Sequence, residues 1–393
     1  KELLVYMKSF AIVVICYKRL DGISRLIKSL EQADYDNRKD ITLIFSIDNS
    51  GSSVVEDYAK TIEWNHGEKV IRTFDERQGL KKHILSCGEF TQEYDILTVL
   101  EDDIVVSDSF YHYAYNAAIK YEYDDNIAGI SLYNFQKNWL KWHLRFEPEK
   151  RNYDNYFMQI AQSWGQVWTT RKWDLFMAWY KNNKIFTKSD GIPEALNNWP
   201  ESSWLKYHTR YCIENNRYFV YPYYALSTNC GDAGEHSKRG SSNYQVELQS
   251  SKHKFNFSDF SQDDSIKYDA YMNRQNLDKY LDIDKDDCVK VDFYGTNKLQ
   301  GYRYVLSTEK LNYKILKSYA LSFRPIEYSV IHNIEGHGIY LYDTNVKEYN
   351  SLDIDQFFEL FSYEIRSNSI PTFLKYAFKL VINELKIRIT RGN

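Results

Sequence analysis

The stretch VLEDDIVVS, residues 99–107, places three carboxylates in succession directly after a run of apolar residues. Ile96, Leu97, Val99 and Leu100 predict a buried strand, and three like charges at its end repel one another. A bound divalent cation would offset that repulsion, although a run of acids is more often a solvated loop. The surrounding sequence decides between these two interpretations.

The chain before this stretch alternates apolar strands with segments of helical spacing. FAIVVIC (10–16), ITLIFSI (41–47) and KVIRTF (69–74) predict three further strands. Strands of this kind, separated by helices, are typical of a parallel sheet that is covered on both faces. Ligands of such sheets bind at the carboxyl ends of the strands, where Glu101 to Asp103 and also Asp48 are expected. Their position favours a functional role.

Composition narrows the class of protein. The chain has 393 residues, of which 43% are hydrophobic, so that two or three domains are expected. A formal net charge of -4 argues against a nucleic-acid-binding protein. The five cysteines are scattered, without a Cys-x-x-Cys pair, which indicates a reducing compartment. No apolar run reaches the roughly 18 residues of a membrane span, no secretory signal is recognisable, and Met7 is a candidate natural start.

Several standard sites are missing from the sequence. The first strand is not followed by Gly-x-Gly-x-x-Gly, and the chain has neither a P-loop nor a Gly-x-Ser-x-Gly elbow. The acidic segment from Asp282 lacks the glycine and the glutamate that an EF-hand requires. Dinucleotide-binding, P-loop, serine hydrolase and EF-hand sites are therefore excluded.

The pattern changes along the chain and predicts three regions. Residues 7–245 contain the alternating strands and helices, residues 246–290 are polar without a clear period and predict a linker or lid, and residues 291–393 are β-rich. The strands expected in the last region are VKVDFYG, YRYVLS, EYSVIHN and GIYLYDTN.

The chain ends in a basic amphipathic helix that begins at Pro371. Apolar residues recur at helical spacing from Phe373 to Val381, and Lys375, Lys379, Lys386, Arg388 and Arg391 supply positive charge. This combination suits a helix on an anionic membrane surface. A helix docked on its own domain is the alternative. We expect a cytoplasmic protein, with peripheral contact to the inner face of the membrane if this helix lies on the membrane surface.

Together these segments resemble the GT-A glycosyltransferases, which use nucleotide-sugar donors and hold Mn²⁺ or Mg²⁺ at a short acidic motif that ends a sheet strand. The resemblance covers roughly the first 240 residues. It is strongest to the inverting bacterial family two, which builds capsule and lipopolysaccharide, and to the Golgi N-acetylglucosaminyltransferase I type, whose acidic motif is also Glu-Asp-Asp. The α/β fold that this implies is a Rossmann-like, mostly parallel sheet with helices on both faces, followed by a smaller C-terminal β-rich and α extension.

The resemblance also implies roles for individual residues. The donor-binding set comprises Arg19, Asp48, Lys81, Lys82, Glu101 and Asp102. Asp103 is expected to hold the metal ion, together with Asp102 and with His236 in STNCGDAGEHS. In SWGQVW, Trp164, Gly165 and Trp168 correspond to the turn that lines the acceptor side.

Inverting transfer requires a carboxylate that takes the proton of the acceptor hydroxyl. The chain has Ser202 and Ser203 where the Golgi enzymes place an aspartate, so the neighbouring Glu201 in WPESSW is the first candidate. Asp190 and Asp232 are the alternatives.

The expected function is the metal-dependent, inverting transfer of a sugar, most simply from a UDP-sugar, to a glycan or lipid-linked glycan of the bacterial surface. One alternative is a catalytically inactive glycan-binding or scaffold protein. A sugar nucleotidylyltransferase is a weaker alternative, because such enzymes need a glycine-rich phosphate loop after the first strand and CYKRLDG has none.

Overall fold

The computed structural model describes residues 7–141, 144–189, 191–232, 240, 242–283, 288–352, 355–366 and 369–390. The chain divides into two compact units. The first is built mainly from Lys1–Gln136 and Glu147–Asn276, and the second mainly from Leu277–Gly295 and Leu299–Asn393.

The first half of the first unit alternates strands and helices. In chain order its elements are β1 (Phe10–Cys16), α1 (Leu20–Glu31), β2 (Ile41–Ile47), α2 (Val54–Thr61), β3 (Lys69–Thr73), α3 (Leu80–Cys87), β4 (Ile96–Glu101), β5 (Ile104–Val106), α4 (Phe110–Tyr121) and β6 (Ile127–Ser131).

The second half is irregular by comparison. Its elements are β7 (Asn155–Met158), β8 (Gln166–Thr169), α5 (Thr170–Asn182), α6 (Glu194–Asn197), α7 (Trp204–Glu214), β9 (Tyr218–Pro222), β10 (Ser227–Asn229) and β11 (Lys267–Tyr268).

Nine of these strands form one sheet in the order β11-β7-β9-β6-β8-β4-β1-β2-β3. The pairs β1–β2, β1–β4, β2–β3, β6–β9 and β7–β11 are parallel, whereas β8 runs antiparallel to both β4 and β6, and β7 runs antiparallel to β9. The predicted mostly parallel α/β sheet is confirmed. Because β1 and β4 are parallel neighbours, with Ile15 opposite Glu101, the turns that follow them open at the same edge.

Burial explains why the first strands could be recognised from the sequence. Every residue of β1 and β2 is buried, as expected for central strands that are covered on both faces. Helix α1 buries Ile23, Leu26, Ile27 and Leu30, which lie on one face at helical spacing. Burial of each such side chain contributes about 1.5–3 kcal/mol to folding.

The region predicted as a linker or lid differs from the expectation, because most of it belongs to the first unit. Phe255, Phe257 and Phe260 pack against the core, and β11 adds an edge strand to the nine-stranded sheet. These aromatic residues are spaced irregularly, so that neither a helical nor a strand period is visible in the sequence. The first unit extends to Asn276.

The second unit contains a four-stranded sheet in the order β12-β13-β15-β14. Its elements are β12 (Val289–Asp292), β13 (Tyr304–Ser307), β14 (Tyr313–Ala320), α8 (Tyr328–Ile331), β15 (Gly338–Lys347), α9 (Gln356–Ile365) and α10 (Ile370–Thr390). Val305, Tyr340 and Tyr342 form its buried cluster. The segment EYSVIHN, predicted as a strand, instead contains the short helix α8.

Helix α10 carries apolar side chains that are exposed to solvent over much of its length. Phe378 is 68% exposed and Leu380 is 66% exposed. Among the described residues, no helix has the length and the apolar character that crossing a membrane would require.

Candidate functional site

The three carboxylates lie where β4 ends. Glu101 is the last residue of β4, and Asp102 and Asp103 form the turn that leads into β5. Strand β5 pairs with β10 in a separate two-stranded ribbon, and the Cys230 backbone N–H donates to the Asp103 carbonyl oxygen at 2.8 Å. The acidic turn is therefore held between a central strand of the main sheet and a second ribbon.

Arg19 precedes α1 and reaches both aspartates of this turn. Its Nη1 donates to Asp103 Oδ2 at 3.1 Å, and its Nη2 donates to Asp102 Oδ1. Burial opposes the charge of the guanidinium, but the two carboxylates outweigh burial and raise the pKa of Arg19 above its usual value. The sequence predicted Arg19 and Asp102 at one donor site, and the fold brings them together.

Burial disfavours the charged forms of Glu101 and Asp102. Asp102 is only 4% exposed, and burial raises its pKa to about 6 although Arg19 acts in the opposite direction. Burial and the charges of Asp103 and Asp102 raise the pKa of Glu101 well above its usual range, against a hydrogen bond from Ser163. One guanidinium therefore only partly compensates three crowded acids.

An orphaned atom tests whether this turn suits a cation. Asp103 Oδ1 is buried and has no hydrogen-bond partner among the described residues. A buried carboxylate oxygen without a partner is costly, and carboxylate oxygens are the ligands that Mg²⁺ and Mn²⁺ prefer. The acidic turn therefore fits a hard divalent cation for two reasons: one of its buried oxygens has no partner, and its oxygens are carboxylate oxygens.

Asp232 lies on the same side of the site as the acidic turn. It pairs with Arg25 of α1, and its charge contributes to the raised pKa of Asp102. A Cβ atom added to Gly22 would lie 2.5 Å from the Asp102 carbonyl oxygen and 3.7 Å from Asp232 Oδ2. Helix α1 can approach the acidic turn this closely because residue 22 has no side chain.

Asp48 is bound by backbone groups. Its Oδ1 accepts from the N–H groups of Asn49 at 2.9 Å and Gln78 at 2.7 Å, and its Oδ2 accepts from Gly79 at 3.0 Å. It therefore joins the end of β2 to the start of α3. A carboxylate offers about four acceptor positions, so these three bonds leave capacity for a ligand.

Lys81 lies in the first turn of α3 and contacts Glu201. Lys81 Nζ donates to the Glu201 carbonyl oxygen at 2.7 Å and lies 4.7 Å from the centre of the Tyr207 ring. Tyr207 and Lys206 donate to the Glu201 carboxylate at 2.5 and 3.0 Å, and these bonds lower the pKa of Glu201. Lys82 is exposed.

The Gly-Trp segment divides between surface and core. Trp164 is partly exposed and packs against Tyr133 and Tyr244, with ring centres at 4.8 and 4.7 Å. Gly165 has φ +96°, and a Cβ there would lie 3.0 Å from the Leu132 side chain.

Trp168 differs from the prediction. It is only 1% exposed and stacks on Trp173 with ring centres at 4.3 Å. An acceptor cannot reach its side chain. The physical reason is that Trp168 lies in β8, which is buried between neighbouring strands and covered by helices.

Two predicted residues lie outside the described part of the chain: Asp190 and His236. Three residues at the site escaped sequence analysis: Gly22, Arg25 and Ser163. The spacing of Arg19, Gly22 and Arg25, three residues apart at the start of a helix, was the available signal for the first two.

Comparison with known protein families finds a match in the first half of the chain. Residues 11–178 match the family described as Glycosyl transferase family 2. Among curated proteins, none matches the chain.

Solved structures that resemble the chain do so over part of its length and at low identity. S. aureus TarS 1–349 in complex with UDP-GlcNAc is 15% identical, with 58% of this chain and 60% of that chain covered and a TM-score of 0.39. Mannosyltransferase PcManGT from Pyrobaculum calidifontis, in complex with GDP-Man and Mn²⁺, is 14% identical over 55% and 57%, with a TM-score of 0.34. GalNAc-T7 with UDP, GalNAc and Mn²⁺ is 13% identical over 56% and 43%, with a TM-score of 0.36.

The chain spans about 60% or less of the length of each of these structures. The family match and the mostly parallel sheet with an acidic turn at the end of β4 agree with the resemblance found in the sequence. Residues 11–178 therefore resemble a glycosyltransferase domain of the family described as Glycosyl transferase family 2.

Proposed function

We propose that this protein is an inverting, metal-dependent glycosyltransferase that moves a sugar from a UDP-sugar to a glycan or lipid-linked glycan of the bacterial surface. The observation that carries the proposal is the turn Glu101–Asp103. It presents three carboxylates and one unpartnered buried oxygen beside Arg19, at the edge where ligands of parallel sheets bind.

Asp103 and Asp102 would hold the divalent cation, and Asp232 is a third carboxylate on the same side. When bound, Mn²⁺ or Mg²⁺ acts as a Lewis acid that stabilises the negative charge of the diphosphate leaving group. Arg19 is positioned to bind the same diphosphate, because its guanidinium already lies against the two aspartates. The sequence placed Asp232 among the candidate bases; its position beside Asp102 favours the cation side instead.

We propose Glu201 as the base that accepts the proton of the acceptor hydroxyl. Its support is positional, since the contact with Lys81 places it beside the first turn of α3, next to the end of β2. Tyr207 and Lys206 hold the carboxylate in one orientation but also lower its pKa, which reduces its strength as a base. Asp48 is the proposed contact to the uracil ring, and Trp164 the proposed aromatic surface for the acceptor.

The acceptor is proposed to be membrane-associated, and α10 the element that brings the enzyme to it. Its exposed apolar residues alternate with Lys375 and Lys379. Apolar burial together with attraction to anionic lipid is the combination that holds a helix at a membrane surface.

A panel of nucleotide sugars tests the function as a whole. A ligand that binds the native state raises the thermal midpoint, so in the presence of Mn²⁺ we expect one UDP-sugar to raise it more than GDP- or CMP-linked sugars do. The configuration at the anomeric carbon of the product, read by NMR, should be opposite to that of the donor. No shift with any nucleotide sugar, or a retained configuration, would contradict the proposal.

A further inference from the structure

A second cluster of metal-ligating side chains lies away from the acidic turn. Asp34 follows the end of α1, His112 lies in the first turn of α4, and His253 lies in the segment that follows β10. Their ligand atoms all lie within 4.8 Å of one another. Helix α1 has 12 residues and is therefore about 18 Å long, and it separates Asp34 from Arg19 at its other end.

The three ligand atoms form a nearly regular triangle. Asp34 Oδ2 lies 3.3 Å from His112 Nε2 and 3.0 Å from His253 Nδ1, and the two ring nitrogens are 3.2 Å apart. Zinc binds imidazole nitrogen and carboxylate oxygen at about 2.0–2.2 Å with tetrahedral geometry, which places adjacent ligand atoms about 3.3–3.5 Å apart. The triangle matches one face of such a tetrahedron to within a few tenths of an ångström.

Hydrogen bonds alone do not account well for this arrangement. A neutral imidazole carries one N–H, which points along the bisector of its ring at a single acceptor. His253 Nδ1 nevertheless faces both Asp34 Oδ2 and His112 Nε2 at hydrogen-bond distance. A cation in front of the triangle would accept lone pairs from all three atoms at once.

The backbone holds the three segments in place independently of any ion. The Asp34 N–H donates to the Asp108 carbonyl oxygen at 2.9 Å, and the Ser251 N–H donates to Asp108 Oδ1 at 2.9 Å. The Lys252 N–H donates to Ser109 Oγ at 2.8 Å. Asp108 and Ser109 directly precede α4, so the residues on either side of the cluster are tied to the start of the helix that carries His112.

The carboxylate of Asp34 is oriented for ligation. Its Oδ1 accepts the backbone N–H of Asp36 at 2.9 Å, which leaves Oδ2 facing the two histidines. A hydrogen bond to the second oxygen of a ligating carboxylate is the usual way in which a protein fixes such a ligand. The side chains of Asp34 and His253 are 44% and 56% exposed, so that an ion and a water molecule can reach the cluster.

We propose that Asp34, His112 and His253 bind one Zn²⁺ ion, with water in the fourth position, and that the ion fastens the segment around His253 to α1 and α4. Two imidazoles and one carboxylate suit Zn²⁺ better than Mg²⁺ or Ca²⁺, which take oxygen ligands. The site is independent of the proposed glycosyl transfer and lies at the opposite end of α1.

Metal content tests the proposal without an activity assay. The full chain is stripped with EDTA, dialysed, and titrated with Zn²⁺ at pH 7.5 in excess Mg²⁺, with a chromophoric chelator as competitor. We expect one tightly bound Zn²⁺ per chain. His253→Ala and Asp34→Asn should each weaken binding at least about 100-fold, because even outer partners of ligands cost 10–100-fold.

Two variants serve as controls. His337→Ala removes an exposed histidine of the second unit and should leave zinc binding unchanged, as should Asp103→Ala at the acidic turn. Zinc binding that survives in His253→Ala and Asp34→Asn, or that is lost in Asp103→Ala, would overturn the proposal, as would a wild-type chain that retains no zinc.

Hydrogen exchange supplies a second measurement. If the ion fastens the segment, Zn²⁺ should slow amide exchange between Ser250 and Phe255 in the wild type and not in His253→Ala. Equal protection with and without Zn²⁺ would overturn the fastening role.

Discussion

Arg19 and Asp103 form an ion pair of 3.1 Å that joins the start of α1 to the turn after β4. The same guanidinium also pairs with Asp102, so one protein cation offsets part of the repulsion within the acidic turn. Because Arg19 keeps a partner in Asp102 when Asp103 is removed, the role of Asp103 in ligand binding can be separated from its role in folding.

Asp103→Ala should abolish the Mn²⁺-stimulated hydrolysis of the donor, with a loss of about 100-fold or more, since Lewis-acid stabilisation is worth several kcal/mol. The measurement is UDP release with and without Mn²⁺. The thermal midpoint of the variant should stay close to that of the wild type. Asp57→Ala, at an exposed position of α2, is the matched control. If EDTA does not affect transfer by the wild type, the proposed role of the metal ion is contradicted.

Glu201→Gln should reduce kcat by about 10²–10⁴-fold, the usual contribution of a general base, while the affinity for the nucleotide sugar stays near the wild-type value. The amide keeps the size of the side chain and can still accept from Tyr207. Single-turnover transfer rates and donor titrations give the two quantities.

Asp232→Asn is the informative comparison for Glu201→Gln. If Asp232 lies on the cation side, its substitution should weaken Mn²⁺ binding as well as turnover. A Glu201→Gln variant that turns over at a rate comparable to the wild type would move the role of base to another carboxylate.

The strength of the local pattern decides how much of this could be predicted from the sequence. Strands β1, β2 and β4 are mainly apolar and buried, and amphipathic helices separate them, so both their type and their position were visible. Strand β8 has only four residues, follows a tight turn at Gly165, and leads directly into α5. Trp168 was predicted at the acceptor side from the resemblance of SWGQVW to a Gly-Trp turn. Its burial comes from neighbours that are distant in the sequence, which the local pattern does not show.

In the candidate site, too, local features could be predicted and contacts between distant residues could not. The acids at the end of β4 and Asp48 after β2 could be placed at one edge, because parallel strands end together, and the resemblance to GT-A glycosyltransferases added Arg19 to them. The pair of Arg25 and Asp232 could not, since 207 positions separate the two residues and no periodic pattern links them. Contacts of this kind depend on the path of the whole chain.

Gly22→Ala tests the close approach of α1 to the acidic turn. The added Cβ would lie 2.5 Å from the Asp102 carbonyl oxygen, so either the helix or the turn must shift. Overpacking of this kind costs about 1–3 kcal/mol, against a gain of at most about 1 kcal/mol from the helix propensity of alanine. Urea denaturation should show a net loss of stability, and donor affinity should fall.

Lys28→Ala, on the exposed face of the same helix, is the control for Gly22→Ala. It should leave both quantities unchanged. A Gly22→Ala variant that is more stable than the wild type would show that the turn yields without cost.

His208→Phe should stabilise the protein and reduce its sensitivity to acid. His208 is 1% exposed, stacks on Phe176 at 4.1 Å, and neither of its ring nitrogens has a hydrogen-bond partner among the described residues. Removal of unpaired buried polar atoms is worth about 1–3 kcal/mol. Urea denaturation at pH 7.5 measures this gain.

The pH dependence of the protein's stability follows from the lowered pKa of His208. Burial lowers the pKa of His208 from 6.5 to about 3, so between these values the unfolded chain binds a proton that the native state does not. The stability of the wild type should therefore fall as the pH decreases below 6.5, by up to about 1.4 kcal/mol per pH unit for this residue. His208→Phe should flatten that slope, whereas His337→Gln at an exposed position should not. An unchanged slope in His208→Phe would contradict the assignment.

Removal of the chain from Pro371 onward should weaken binding to anionic vesicles. Phe373, Leu374 and Phe378 are exposed on α10 and would enter the membrane interface, where Lys375 and Lys379 face acidic lipid. Flotation with phosphatidylserine vesicles measures the effect, and binding of the full chain should decrease with salt. Vesicles of neutral lipid are the control. Equal flotation of the full and the shortened chain would show that α10 is not an anchor.

The ribbon of β5 and β10 limits where the chain can change in length. Asn229 lies opposite Ile104 in the ribbon, and the N–H of the next residue, Cys230, donates to the Asp103 carbonyl oxygen. The register of the ribbon therefore fixes where Asp232, two residues further on, lies relative to the acidic turn. Side chains of a strand alternate between its two faces, and a single inserted residue would turn the following ones to the opposite side. Insertions and deletions between Ser227 and Asp232 should therefore be tolerated far less well than those in exposed loops that carry no residue of the proposed site.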